Sequence, residues 1–254
     1  MTALARSSAL ALLLLASGAS AQQAATPEGP APKARTPMGL LAGRELMAEV
    51  LDALGGVAAW DSVEAYSTAG ATQVNSLVMG DVSVESVSVV RGADGVRVEQ
   101  FTPVGSVLVQ IDGDRVGFAI SGESRPAPDG MASSVRSQLL FSVPYVIMRR
   151  EDLAINRVAD RPGGLPVLRF RAPGVEALYD LVLSPDRRPL RIESIQASAA
   201  GPGYYAYIFS DYREADGLLV PFRTEQRVDD LLLTTTVLSA FTVSPEITAR
   251  TFAR

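Results

Sequence analysis

The chain has 254 residues, 47% of them apolar and 6% aromatic, with a formal net charge of −5 and neither histidine nor cysteine. That length is ample for a hydrophobic core, which must hold the fold with no disulfide and no cysteine to carry a lipid. The composition excludes a Ser-His-Asp triad, a thiol nucleophile and a His-based zinc site, and the acidic balance argues against nucleic acid and against a general attraction to anionic membranes.

Arg6, the apolar run 9–16 and the small-residue sequence Ala19-Ser20-Ala21 read as a secretory signal peptide spanning 1–21. The run is well short of the roughly 20 residues that a spanning helix needs, so the exported chain is expected to be soluble, not lipid-anchored and without a transmembrane segment. Residues 22–37, rich in Pro, Ala and polar side chains, read as a disordered linker. The single lysine, Lys33, lies in it, so a lysine-based mechanism has no ordered residue to use. A helix is predicted over 40–54, where Leu46, Met47, Val50, Leu51 and Leu54 form one apolar stripe and Gly55-Gly56 ends it. A short turn with Trp60 and Asp61 follows.

Strands then dominate, at 63–74, 81–91, 96–101, 107–111 and 116–120. Asp-Gly pairs at 94–95, 112–113, 129–130 and 216–217 punctuate the chain as turns do in an antiparallel meander. After the loop 122–130 the strand rhythm breaks. Val135, Leu139, Leu140 and Val143 recur at helical spacing up to Pro144, which interrupts or restarts the helix. Further strands are predicted at 166–171, 177–183, 190–197, 204–212, 218–228 and 231–243. About eleven strands with two helical elements predict one strongly curved antiparallel sheet.

The chemical candidates are few. The adjacent acids Asp229-Asp230 and Glu151-Asp152 fall in connections, where they read as turn and helix-end residues more readily than as an acid–base pair. Arg187-Arg188 precedes Pro189 in a turn and reads as solvated, while Arg149-Arg150 ends the interrupted helix. The segment 139–148 carries the strongest signal. Leu139, Leu140, Phe141, Val143, Tyr145, Val146 and Met148 are the candidate ligand-binding residues, either as a lid over an apolar cavity or as a plug filling the sheet.

Tyr212, Asp216-Gly217, Leu218, Val220, Pro221 and Arg223, with Val243-Ser244-Pro245, Phe252 and the opening Leu54-Gly55-Gly56, Trp60 and Val63, resemble the LolA-like group of outer-membrane lipoprotein-sorting proteins. The resemblance implies an unclosed half β-barrel over 38–254, covered by the N-terminal helix and the interrupted, lid-like helix. It implies a periplasmic protein that binds lipid or lipoprotein acyl chains in an apolar cavity and takes part in envelope trafficking. Its partners would be a lipid or an acylated protein, with envelope membrane proteins beside them. No enzymatic activity, cofactor or metal is expected. The alternative is a regulatory or protein-interaction module of the envelope, since a relative of this fold senses envelope stress through an anti-sigma factor.

Overall fold

The computed structural model describes residues 37–75, 81–92, 95–103, 105–198, 201–243 and 246. The predicted signal peptide, nearly all of the linker, Asp94, Ser244, Pro245 and Phe252 lie outside the described residues.

Helix α1 (Pro37–Ala53) buries the predicted stripe, with Leu46, Met47, Val50, Leu51 and Leu54 all under 5% exposed. It ends where Gly55 adopts a φ of 116° and Gly56 N donates to Leu51 O at 2.8 Å. The predicted turn at Trp60 is a short helix, α2 (Val57–Asp61), whose buried Trp60 donates from Nε1 to Leu54 O at 3.0 Å.

Five antiparallel strands follow: β1 (Ala65–Val74), β2 (Val82–Arg91), β3 (Gly95–Thr102), β4 (Gly105–Asp112) and β5 (Arg115–Ile120). A two-residue strand, β6 (Glu123–Ser124), ends this run inside the predicted loop. Helices α3 (Met131–Leu139) and α4 (Val143–Met148) then interrupt the strands, with Pro144 in the first turn of α4. The second run comprises β7 (Ala154–Arg161), β8 (Leu165–Arg171), β9 (Tyr179–Leu183), β10 (Pro189–Ser198), β11 (Gly201–Ala215), β12 (Leu218–Val228) and β13 (Leu231–Val243).

The thirteen strands among the described residues form one curved sheet in the order β6-β5-β4-β3-β2-β1-β13-β12-β11-β10-β9-β8-β7. The two runs join where β1 pairs with β13, Tyr66 opposite Val243. The outermost strands β6 and β7 do not pair with each other, so the barrel stays open. Two strands are therefore added to the expected eleven. β6 is too short to carry a pattern. β7 reads Ala-Ile-Asn-Arg-Val-Ala-Asp-Arg, an edge strand whose charged residues hide its alternation.

The β7 edge is covered by α1. A Cβ on Gly43 would lie 3.0 Å from Arg157 N and from Asn156 Cα, so only glycine lets the helix backbone ride directly on the strand. The residues that prompted the family resemblance sit at the other end of α1. Asp216 and Gly217, at φ 50° and 78°, make the two-residue turn between β11 and β12. Asp216 accepts from Val243 N at 2.8 Å, Tyr212 Oη donates to Pro189 O at 2.6 Å, and Leu219 N donates to Leu54 O at 3.0 Å. The motif thus ties β10, β12, β13 and the end of α1 together.

Register places two apolar clusters on the face that carries the helices. The larger joins α1, α2 and α4 to β8–β12, with Leu168, Leu181, Ile192 and Phe209 among its sheet residues. The smaller joins Met131 and Val135 of α3 to Val96, Val107, Val109, Ile111 and Phe118 of β3–β5.

Candidate functional site

The predicted segment crosses the inner face of the sheet. Leu139, half-buried, touches both clusters and so links them. Leu140, Phe141, Val143, Tyr145 and Val146 are all buried in the larger cluster, and Met148 packs against it partly exposed. The structure therefore brings all seven candidates together.

The connector between α3 and α4 holds the segment down. The Phe141 ring stacks on Tyr207 of β11, centroids 4.2 Å apart and planes inclined by 18°, and meets Tyr179 of β9 edge-on at 5.2 Å. Tyr179 in turn stacks on Phe170 of β8 at 5.2 Å. On the other side, Ser142 hydrogen-bonds Tyr66 of β1, whose ring stacks on Phe241 at 5.3 Å. The connector is thus pinned between strands that lie on opposite sides of the β13 seam.

The far end of the segment is tied by charge. Arg149 Nη1 donates to Tyr145 Oη at 2.9 Å, and Arg150 donates from Nη1 to Ile147 O at 3.1 Å. Arg150 also forms an ion pair with Asp61 of α2. The sequence marked this arginine pair but not its partners, which lie 89 positions away in the case of Asp61.

Burial pushes the Tyr179 phenol up to about 12, against hydrogen bonds to Ser137 and Gln196. Burial likewise raises Tyr66 and Tyr207, so these three phenols stay neutral across the physiological range. Among the described residues, no group of three or more acidic, histidine or cysteine side chains is placed to hold a metal.

Residues that the sequence did not single out line the middle of the same face. Thr68 bonds Ser88 across β1–β2 at 2.6 Å, Thr72 bonds Thr236 across β1–β13 at 2.9 Å, and Thr234 donates to Gln226 Oε1 at 3.3 Å. Hydroxyls thus separate the two apolar clusters. The hydroxyl residues of β1 and β13 are plain in the sequence, but as adjacent residues (Ser67-Thr68, Thr234-Thr235-Thr236) whose faces only the register separates.

The arrangement is a LolA-like fold, an open antiparallel half-barrel with helices on its inner face. No protein-family model and no curated protein sequence matches the chain. Solved structures do. A LolA superfamily protein from Nitrosomonas europaea superposes with a TM-score of 0.58 at 12% identity, over 83% of this chain and 97% of its own. A DUF1329 family protein from Desulfovibrio piger gives a TM-score of 0.56 at 12% identity, over 84% of this chain and 97% of its own. A domain assigned to the outer membrane lipoprotein-sorting proteins, from Vibrio parahaemolyticus, gives 0.53 at 12% identity, again over 84% and 97%.

Proposed function

We propose that the protein is a periplasmic carrier that binds the acyl chain of a lipid or lipoprotein between the inner face of the sheet and residues 131–148, without catalysing a reaction. In this reading residues 1–21 are removed on export, 22–37 are a spacer and 38–254 form one carrier domain. The observation that carries it is the seat of Phe141. The connector of a two-piece helical segment, apolar over 139–148, inserts one ring between Tyr179 and Tyr207, where alkyl chain would make the same contacts. Helix α4 is buried along its first five residues, so swinging it out would open an apolar slot rather than a wet one. Each methylene buried there is worth about 0.8 kcal/mol, so a long chain binds without a specific polar contact. The likeness to a lipoprotein-sorting domain supports the same role.

A fatty acid bearing a diazirine on its chain tests the location. Irradiated with the protein, it should label Tyr179, Tyr207 and residues of 139–148. Labelling confined to other surfaces, or none, contradicts the assignment and favours a module that presents this fold to a protein partner.

A further inference from the structure

A second site lies on the opposite, outer face of the sheet. There β7–β11 frame a pocket of about 450 Å³, within the range of small-molecule sites. Its floor is made of Asp180 and Glu193, side by side in register on β9 and β10 and only 8% and 4% exposed. Arg169 grips both oxygens of Asp180, from Nε at 2.7 Å and Nη2 at 2.8 Å. Arg161 Nη2 bridges Asp180 at 3.0 Å and Glu193 at 2.8 Å. Arg191 and the Tyr204 phenol bond Glu193 as well. Burial opposes the charge on Glu193, but the bonds from Arg191 and Tyr204 outweigh it and hold the carboxyl below its ordinary value.

Buried ion networks add little net stability over apolar packing of the same volume. What this one does is fix two guanidinium groups. Arg161 and Arg169 keep 40% and 43% of their side chains exposed. Nη1 of each, and Nε of Arg161, have no partner among the described residues. Beside these donors stands an apolar wall of Leu178 and Ile195, 44% and 69% exposed, with the ring of Tyr204. Glu176, exposed and unpaired among the described residues, stands at the rim.

We propose that this pocket binds a singly charged phosphodiester, its oxygens on Arg161 and Arg169 and its organic substituent against Leu178, Ile195 and Tyr204. A planar carboxylate is satisfied by one guanidinium fork. Separate free N–H donors from two guanidinium groups fixed on neighbouring strands suit the spread oxygens of a tetrahedral anion. Three carboxylates (Glu176, Asp180 and Glu193) balance three arginines, so the site disfavours a dianion. The phosphodiester is the headgroup of a phospholipid or a free glycerophosphodiester. The site is on the face opposite the acyl slot, so it stands or falls independently of the carrier reading.

The test follows the Arg161 and Arg169 Nε–H resonances of the whole protein during titration with glycerophosphoethanolamine. Both should shift and saturate. Arg169→Lys keeps a cation over Asp180 but loses the fixed guanidinium and its outward Nη1 donor, and should weaken binding about tenfold. Glu176→Arg, at an exposed rim position that leaves the floor intact, should tighten it about fivefold. Absence of a saturable shift, affinity unchanged in both variants, or equal binding of acetate would overturn the proposal. Vesicles of phosphatidylethanolamine and phosphatidylcholine then separate the sources. Capture that Arg169→Lys abolishes assigns the lipid headgroup. Saturable shifts without vesicle capture assign the soluble phosphodiester.

Discussion

The ring of Phe141 stacks on that of Tyr207 at 4.2 Å, and this contact and the Ser142–Tyr66 hydrogen bond tie the connector between α3 and α4 to the sheet. Phe141 is 3% exposed, so it is both a core residue and the occupant of the slot assigned to ligand. Phe141→Ala should lower unfolding free energy by about 3–5 kcal/mol, read as a shift of the urea midpoint. The vacated space should admit a chain more readily, so added decanoate should restore part of that loss by mass action. A destabilised variant that decanoate leaves unchanged would separate packing from binding.

Arg150 and Asp61 act as a latch between α4 and α2. Arg150 is 12% exposed and Asp61 54%, which limits the pair to roughly 1 kcal/mol. Asp61→Ala should speed amide exchange in 143–148 by about fivefold, and Arg150→Ala somewhat more because it also loses the Ile147 carbonyl. The double variant should exceed the larger single effect by little. Additive effects would show that the two residues act separately.

Gly43 sets a test in which two principles give opposite signs. Alanine in a helix interior is favoured over glycine by about 1 kcal/mol. At Gly43 the added Cβ would meet the β7 backbone at 3.0 Å, a contact that rigid strand atoms relieve poorly. Gly43→Ala is expected to lower the melting temperature, and to raise light scattering as the β7 edge becomes accessible. A higher melting temperature would mean that α1 moves freely off the edge.

The buried phenols predict an alkaline limit. Tyr179 is pushed up to about 12, and Tyr66 and Tyr207 are raised as well, mainly by burial. A phenol raised in the fold contributes stability in full below its unfolded value near 10, and that contribution is lost as pH rises from there through the folded value. Unfolding free energy should therefore fall above about pH 10, and Tyr179→Phe should make the fall shallower. An unchanged slope would show that this phenol ionises within the fold without cost.

Much of the architecture is legible in residues. The stripe Leu46, Met47, Val50, Leu51 and Leu54 gives α1, and the turns at Gly113 and Gly217 place two hairpins. Pro144 divides the helical segment at the expected place. What escapes depends on pairing between distant segments. β7 hides because Arg157, Asp160 and Arg161 break its alternation, and its role as a covered edge is set by Gly43. The site residues on 139–148 are readable from their apolar spacing. Tyr179 and Tyr207 become their partners only once β9, β10 and β11 are in register. The outer pocket left one local trace, an aspartate inside the apolar strand Tyr179–Leu183, whose five residues are all buried. The arginines that compensate it come from other strands.

The central claim, an acyl chain held beneath residues 131–148, is tested most directly by native mass spectrometry of the protein purified from its own envelope, followed by organic extraction. The account predicts a bound lipid or acylated peptide that is released on denaturation and replaced by added oleate. A mass equal to the chain alone, with no uptake of oleate, would contradict it and leave the segment as a permanent plug of the core.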